Sequence, residues 1–363
     1  MKCSETAWLS DKEYLEQFSR KAFQLRIPLS GGIDLSSRCN LKCVHCYFST
    51  DGETAETGKA ELDTGRILSI IDEITEAGCL YLLITGGEPL MRKDFSTIYR
   101  HAKLNGLLTT VFTNGTLVTE HIAGLFEELP PQAVEISLYG ATASTYENIS
   151  GVKGSYEKCL AGIRRLLDHH IQVKLKTVLM TLNIHEFTAM ENIAKKFGIP
   201  FRFDAALFPR FNGDKAPLKL RVSPEAAVDK EFADLQRLNS YRDYFKRVRD
   251  FPVSDSLYIC SAGLTNFHID ANGNLKPCLM THDIRYSLLS GNFLNGWEKV
   301  IPKILSKKAD GSYICNACDK RALCGVCPAF FRLENGSEYI RSAYLCEMGE
   351  HRFQKIHNGF QGG

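Results

Sequence analysis

Three cysteines near the N-terminus have the spacing of a metal-binding loop. They stand in the run Cys39-Asn-Leu-Lys-Cys43-Val-His-Cys46, which is C-x3-C-x2-C. Three thiolates on one short loop bind three corners of a cubane iron–sulfur cluster and leave the fourth iron without a protein ligand. An iron with an open coordination site can chelate a small molecule. A zinc ion would need a fourth Cys or His at similar range, and His45 is cramped because it adjoins Cys46.

Seven further cysteines after residue 259 form a second spaced set. They are Cys260, Cys278, Cys315, Cys318, Cys324, Cys327 and Cys346. The chain has 13 cysteines, an odd number, and no export signal, so metal binding explains the clustering better than a disulfide framework does. A zinc ribbon built from the C-x2-C-x5-C-x2-C run at 315–327 is the alternative, although it leaves three cysteines of this set without a role. Cys79 and Cys159 are expected to be packed as small hydrophobes.

Length, charge and hydropathy exclude several classes of protein. A chain of 363 residues favours one large domain with an appendage. The net charge of 44 − 42 = +2 provides no field for nucleic acid or an anionic membrane surface. No stretch approaches the roughly 20 apolar residues of a membrane span, and the first residues lack the apolar region of a signal peptide. We expect a cytoplasmic protein that binds neither nucleic acid nor membrane.

Short β-rich runs alternate with helical patterns over residues 30–210. The predicted strands are 32–35, 80–85, 109–113, 134–138, 173–179 and 201–205. The clearest helix is predicted over 63–77, where four isoleucines form one stripe and Gly78 follows as a stop. Six βα units in succession predict an α/β fold with a parallel sheet, closed or partly closed as a (β/α)6 TIM-type barrel. An open doubly wound sheet is the alternative that periodicity leaves open.

Changes of pattern divide the chain into five predicted segments. They are an N-terminal helical extension (1–29), a core barrel (30–223), a helical linker (224–255), a smaller cysteine-rich domain (256–351) and a C-terminal tail (352–363). Prolines and a glycine within 208–224 indicate a linker or an active-site loop. Asn272-Gly273 is a hairpin signal that returns the chain towards Cys278.

The cysteine triad and the motif after the second strand together resemble the radical S-adenosylmethionine superfamily. That family places its cluster loop after the first barrel strand, and here the loop follows 32–35. Gly86-Gly87-Glu88 follows the second predicted strand and is similar to the family's GGE motif, which holds the methionyl amino group. Bare glycines let the backbone approach a ligand closely, and a carboxylate suits an ammonium group.

Further positions match the cofactor side of the same family. Asn114 ends the third predicted strand and Ser137 the fourth, and the resemblance implies that both contact the nucleoside side of the cofactor. Lys174 or Lys176 on the fifth strand faces the same ligand if the register turns this pair inwards. His45 lies where the family prefers an aromatic residue, and it is expected to stack on adenine. All these strand ends belong to the face on which parallel barrels keep their active sites.

The second cysteine set closely resembles the SPASM extension of peptide-modifying members of the superfamily. The resemblance implies two auxiliary [4Fe–4S] clusters. The first would take Cys260, Cys278 and Cys327, and the second Cys315, Cys318, Cys324 and Cys346. With three cysteines, the first auxiliary cluster has an open iron or borrows another ligand. The family pattern has three residues between its last pair of cysteines, whereas Cys324-Gly-Val-Cys327 has two, a departure that bears on the assignment of Cys327.

The resemblance implies an enzyme whose reduced N-terminal cluster cleaves S-adenosylmethionine to a 5′-deoxyadenosyl radical, which removes a hydrogen atom from the substrate. The implied partners are a peptide or small-molecule substrate, an electron donor such as flavodoxin or ferredoxin, and a separate peptide-recognition protein. Asp204, at the end of the sixth strand, is a candidate proton acceptor for an oxidised product. A capping role, or a salt bridge with Arg202 or Arg210, is the alternative.

Three interpretations of the function stay open. The first is modification of a peptide by cross-linking, epimerisation or oxidation. The second is oxidative tailoring of a cofactor precursor such as a tetrapyrrole side chain. The third is an electron carrier or a zinc-stabilised interaction protein, which leaves Glu88 and Ser137 at strand ends unexplained.

Overall fold

The computed structural model describes residues 10–48, 61–249 and 254–358. Parts of four predicted segments, residues 1–9 of the extension, 49–60 of the core barrel, 250–253 of the linker and 359–363 of the tail, lie outside the described residues. Cys3 is among them.

Nine strands of the described chain form one sheet. They are β1 Ser30–Asp34, β2 Tyr81–Thr85, β3 Leu108–Thr113, β4 Ala133–Ser137, β5 Val173–Val178, β6 Phe201–Asp204, β7 Asn266–Ile269, β8 Asn274–Lys276 and β9 Tyr286–Ser287. Their order is β6-β5-β4-β3-β2-β1-β7-β8-β9. Strands β1 to β6 are parallel to their neighbours, and all six predicted strands are confirmed to within two residues.

Helices follow the strands along the chain. They are α1 Asp11–Gln24, α2 Thr64–Glu76, α3 Phe95–Leu104, α4 Glu120–Glu128, α5 Ala143–Ser150, α6 Ser155–Asp168, α7 Phe187–Phe197, α8 Pro224–Phe232, α9 Leu235–Val248, α10 Phe293–Lys299, α11 Arg321–Cys324, α12 Pro328–Asn335 and α13 Ala343–Asn358. Among the described helices, none is both long and apolar enough to cross a membrane.

The strand order identifies the fold as a partial barrel. From β1 to β6 each strand adds to the same side of the one before it, so these six strands do not reverse direction across the sheet. A doubly wound sheet requires such a reversal. Right-handed crossovers that all run one way place their helices on one face of the sheet and leave the other face concave. The predicted partial (β/α)6 barrel is confirmed, and the doubly wound alternative is excluded.

Alternating side chains give the two faces of the barrel sheet different roles. Ile33, Ile84, Val111, Ile136 and Leu175 are at most 1% exposed and pack in the core with the helices. The residues between them face the concave side, and the polar groups of the candidate site lie there, near the C-terminal strand ends.

Helix α2 shows how the sequence builds this outer layer. Asp63 caps the helix, with its Oδ1 accepting a hydrogen bond from the Arg66 N–H at 2.7 Å. The four isoleucines of the predicted stripe are fully buried, which confirms that this face packs on the sheet. The buried stripe fixes the angle at which α2 carries the chain back to β2.

Strand β7 joins the cysteine-rich region to the barrel. It runs parallel to β1, with Gly31 opposite Phe267 and Gly32 opposite His268. A Cβ on Gly31 would lie 2.0 Å from the Phe267 ring, and one on Gly32 would lie 2.8 Å from Nδ1 of His268. The two adjacent glycines leave room for one β7 side chain on each face of β1.

Replacing Gly31 with alanine should destabilise the protein, because the new methyl group would overlap the buried Phe267 ring. Overpacking of a core costs about 1–3 kcal/mol, and we expect a loss of that size in the free energy of unfolding, measured by anaerobic urea titration. Gly124→Ala is the matched control. Gly124 lies inside α4 with no atom within 4 Å of an added Cβ, so alanine there should be neutral or stabilising by up to about 1 kcal/mol. Equal losses in the two variants would contradict the tight approach of β7 to β1.

Candidate active site

The cysteine loop, defined here as residues 39–48, lies beyond the C-terminal end of β1 and is tied to the end of α5. The N–H groups of Lys42 and Val44 donate to α5 carbonyl groups at 2.8 and 3.0 Å. Gly151 ends α5 with φ of +70°, and a Cβ on it would lie 2.8 Å from the Lys42 carbonyl oxygen. No role could be assigned to the segment at Gly151 from the sequence. Its two glycines, Gly151 and Gly154, were the feature that could have indicated a close backbone contact.

The pKa values of the thiols in the cysteine loop depend on burial and on the neighbouring thiols. Burial raises the pKa of Cys39 to about 11, although the residue as a whole is exposed. Burial raises the pKa of Cys43 as well, and the neighbouring thiols Cys46 and Cys39 raise it further. Within the described residues, no three Cys, His, Asp or Glu side chains stand ready-made around a metal position. Thiolates that repel one another are stabilised together by a bound cation, so the chemistry of this set fits an iron–sulfur cluster.

Gly86 and Gly87 hold the end of β2 against residues 36–38, which lead into the cysteine loop. Gly86 has φ of +127°, and a Cβ on it would lie 2.3 Å from the Ser36 carbonyl oxygen. A Cβ on Gly87 would lie 2.3 Å from the Arg38 carbonyl oxygen, and the Gly87 N–H donates to Ser36 at 2.7 Å. In this structure the glycines permit contact between two stretches of protein backbone, a physical role that the motif alone did not indicate.

Glu88 is fully buried and links the ends of β2 and β3. Its Oε1 accepts a hydrogen bond from Thr113 Oγ1 at 2.8 Å, and its Oε2 accepts one from the Asn114 N–H at 2.7 Å. Burial raises the Glu88 pKa to about 7, and these hydrogen bonds oppose that effect. Its contact with a methionyl amino group stays a prediction, since both carboxylate oxygens are bonded within the protein.

The Asn114 side chain points at the cysteine loop. Its Nδ2 donates to Asn40 Oδ1 at 2.9 Å and to Cys39 Sγ at 3.8 Å. Its Oδ1 accepts a hydrogen bond from the Thr116 N–H at 2.9 Å. The amide supports the first cysteine of the loop, and its predicted contact with the nucleoside stays a prediction.

His45 packs edge-on against Tyr139, with ring centroids 4.6 Å apart. Desolvation lowers the pKa of His45 to about 4, so the imidazole is neutral. Its Nδ1 is buried without a hydrogen-bond partner among the described residues. Sequence reasoning missed Tyr139, which lowers the pKa of Cys43 through a hydrogen bond against the effect of burial. The sequence feature that could have indicated this role is the position of Tyr139, two residues beyond the end of β4.

The register of β4 and β5 brings one of the two predicted lysines to the strand ends. Ser137 pairs with Lys176, whereas Lys174 lies two residues earlier and is exposed. Lys176 lies over the Phe112 ring, and burial lowers its pKa well below the ordinary lysine value. Ser137 and Lys176 therefore share one row of the concave face, and their cofactor contacts stay predictions.

Asp204 is exposed at the end of β6. Its Oδ1 accepts a hydrogen bond from the Ala206 N–H at 2.7 Å, which is the capping alternative. The two arginines considered as partners pair elsewhere, Arg202 with Glu135 and Arg210 with Asp214. Its role as a proton acceptor stays a prediction.

A buried pair at the seam between β1 and β7 was missed by sequence reasoning. His268 Nε2 lies 3.0 Å from Asp34 Oδ2, and the two side chains are 7% and 2% exposed. The other oxygen, Asp34 Oδ1, has no hydrogen-bond partner within the described chain. Its only sequence signal was an acidic residue in an otherwise apolar predicted strand.

The C-terminal cysteines fall into two groups, and within each group neighbouring thiols raise one another's pKa values. The pKa of Cys327 is raised to about 11 by burial and also by the thiols of Cys278 and Cys260. The pKa of Cys324 is raised to about 12 by burial and also by a different group of thiols, Cys346, Cys318 and Cys315. This grouping of three and four supports the two-cluster assignment over a zinc ribbon, which would place Cys327 with Cys324. Cys79 and Cys159 are buried in the core, as predicted.

Glu88 should make the stability of the metal-free protein depend on pH. Its folded-state pKa of about 7 exceeds the value of about 4.3 for an exposed Glu, so the folded chain keeps a proton that the unfolded chain loses. This contribution is fully present below about pH 4.3 and is lost as the pH rises through about 7. We expect urea titrations to show that the free energy of unfolding falls by up to about 3 kcal/mol over this range, since one pKa unit is worth about 1.4 kcal/mol.

Glu88→Gln should remove most of this pH dependence, because the amide does not titrate. Glu128→Gln, which changes an exposed carboxylate paired with Arg100, should leave it in place. A Glu88→Gln variant with the wild-type slope would contradict the buried, proton-binding carboxyl group.

Comparison with known proteins agrees with this geometry. Residues 33–194 match the radical SAM superfamily. An AdoMet-dependent heme synthase of Oleidesulfovibrio alaskensis is 30% identical over 322 residues, which cover 82% of this chain and 81% of that protein. The mycofactocin maturase MftC of Mycobacterium tuberculosis is 27% identical over 329 residues, covering 87% of this chain and 81% of that protein.

The fold is shared with a solved structure, that of Streptococcus suis SuiB bound to the precursor peptide SuiA. The TM-score is 0.69 at 17% sequence identity, over 94% of this chain and 84% of SuiB. This likeness includes the C-terminal cysteine-rich region, and it shows that both proteins have the same architecture. The chain belongs to the radical SAM superfamily, as an enzyme that uses a [4Fe–4S] cluster and S-adenosylmethionine and has a C-terminal SPASM domain.

Proposed function

We propose that Cys39, Cys43 and Cys46 hold the N-terminal [4Fe–4S] cluster and that S-adenosylmethionine binds beside it, at the ends of β2 to β5. The observation that carries this proposal is a chain of contacts across strand ends: Glu88 binds the backbone of Asn114, whose side chain reaches Cys39. When bound, the cluster and cofactor supply a 5′-deoxyadenosyl radical that removes a hydrogen atom from the substrate. The barrel residues orient the cofactor and exclude water.

The proposed cofactor-binding residues are His45, Gly86, Gly87, Glu88, Asn114, Ser137, Lys174 and Lys176. The half-buried Lys176 has a lowered pKa because its ammonium group is desolvated, so an anionic group such as the methionyl carboxylate would stabilise its charged form. The neutral ring of His45 offers a flat surface for adenine. Lys174 lies on the same strand, exposed and two residues before Lys176.

We propose that two auxiliary [4Fe–4S] clusters occupy the C-terminal region 256–351. Cys260, Cys278 and Cys327 would hold the first, and Cys315, Cys318, Cys324 and Cys346 the second. The two groups of mutually interacting thiols support this division. Thiols that must stay reduced for cluster binding fit a cytoplasmic location, and flavodoxin or ferredoxin would supply the electron.

We propose that the substrate is a peptide modified by cross-linking, epimerisation or oxidation. Support comes from the maturase relative, which is 27% identical over a match that covers 87% of this chain. The fold shared with the peptide-bound SuiB adds to it. Asp204 is the proposed proton acceptor, and a separate protein would deliver the peptide. The second candidate is tailoring of a tetrapyrrole side chain, which the 30% identity to a heme synthase favours.

Iron content and cofactor cleavage test the cluster assignment. Anaerobic reconstitution should give about twelve iron per chain, four for each of three cubane clusters. Dithionite-reduced protein should convert S-adenosylmethionine to 5′-deoxyadenosine, measured by chromatography. Changing Cys39, Cys43 and Cys46 together to Ala should remove about four iron and abolish this release. Cys79→Ala, a change at a buried cysteine outside both sets, should keep both, and cleavage by the triple variant would sink the assignment.

The substrate proposal is tested with two probes side by side. The first is a short peptide encoded beside the gene, and the second is iron coproporphyrin III. The reduced enzyme with S-adenosylmethionine should change the mass or a stereocentre of the peptide, with 5′-deoxyadenosine formed in step, as mass spectrometry and chiral amino-acid analysis would show. Loss of carbon dioxide from the porphyrin with an unchanged peptide would reject the peptide in favour of the second candidate.

A further inference from the structure

The Arg210 guanidinium lies against the backbone of the cysteine loop. Its Nε donates to the Cys46 carbonyl oxygen at 3.3 Å, and its Nη2 donates to that of Val44 at 3.2 Å. The neighbouring Phe211 N–H donates to the Tyr47 carbonyl oxygen at 2.9 Å. Three donors from one short segment therefore hold the half of the loop that carries Cys46.

These contacts place the positive charge of the Arg210 guanidinium beside the half of the loop that carries Cys46. The Arg210 side chain is 11% exposed, and it also forms an ion pair with the partly exposed Asp214. Because a guanidinium is always protonated in proteins, this positive charge is a fixed feature of the loop.

The segment that carries Arg210 is held on its far side by the C-terminal region. The Phe208 ring lies 6.0 Å from that of Phe330, centroid to centroid. Arg221 donates from Nε to the Leu207 carbonyl oxygen at 2.9 Å and pairs with Glu334 at 2.9 Å. Because this segment contacts the cysteine loop on one side and the C-terminal region on the other, Arg210 is held in place against the loop.

We propose that Arg210 is a positioning residue for the N-terminal iron–sulfur cluster, fixing the cysteine loop and raising the reduction potential of the cluster. Reduction adds a negative charge to the cluster, and a nearby buried cation stabilises that state. Hydrogen bonds and charges around the ligands tune such centres in this way. The inference rests on the proposed cluster at Cys39, Cys43 and Cys46.

The test is a potentiometric titration of the full-length reconstituted protein, followed by the electron paramagnetic resonance signal that changes when S-adenosylmethionine is added. Arg210→Met should shift the midpoint potential of that signal to a more negative value. Arg210→Lys, which keeps the charge, should lie nearer the wild-type value. Arg100→Met, which removes an exposed arginine paired with Glu128, should cause no shift.

Asp214→Asn provides a second, opposite test. It removes the anion that offsets Arg210 but keeps an Oδ1 to accept the Ala216 hydrogen bond, 2.9 Å long in this structure, so the midpoint potential should become more positive. If Arg210→Met holds wild-type iron with an unshifted potential, the inference is overturned while the proposed function stands. If Arg210→Met holds no cluster, an unshifted or more negative potential in Asp214→Asn overturns it instead. Wild-type protein without iron would overturn the proposed function itself.

Discussion

The cysteine loop is neither a helix nor a strand and cannot satisfy its backbone groups as those elements do, so other elements must supply the hydrogen bonds. In this chain the end of α5 supplies carbonyl groups to Lys42 and Val44. Arg210 and Phe211 supply donors from the opposite side. Arg210 is 164 residues from Cys46 along the chain, and the barrel is what brings them together. The cysteine loop is therefore irregular in form but held from both sides.

Desolvation favours the uncharged forms of several titratable groups around this loop. Desolvation raises the pKa values of the thiols and of Glu88, and it lowers those of His45 and Lys176. Each group is thus costly to ionise with only protein around it. The site is matched to ligands that bring charges of both signs, such as a cationic metal centre and a zwitterionic amino acid. Burial of these groups lowers the stability of the protein without ligands. The same burial favours the binding of ligands that bring compensating charges.

The local features of the fold and site could be predicted from the sequence, and the long-range ones could not. Apolar alternation marks β1 to β6 because it reports burial within five or six residues, and the isoleucine stripe of α2 does the same for a helix. The cysteine spacing and Gly86-Gly87-Glu88 were visible for the same reason. The contact of Arg210 with the loop depends on where the chain returns after β6, and no nearby residue reports it.

Two assignments within the site also depended on long-range contacts that the sequence does not predict. Spacing alone left Lys174 and Lys176 equivalent, and the pairing of β4 with β5 was needed to bring Lys176 to the strand end. The pairing of Asp34 with His268 joins residues 234 positions apart. A Gly-Gly pair in the first strand was visible in the sequence, but its purpose is apparent only when Phe267 and His268 lie against it.

The pairing of β7 with β1 has a consequence for the order in which this chain folds. The contacts between β1 and β2 form early because they need only a short loop to close, whereas those between β1 and β7 close a loop of more than two hundred residues and form slowly. Until β7 arrives, β1 is an exposed edge strand, and its Ser-Gly-Gly start offers little apolar surface to a foreign strand. The glycines that make room for β7 in the folded protein thus also reduce the risk of aggregation before β7 has paired with β1.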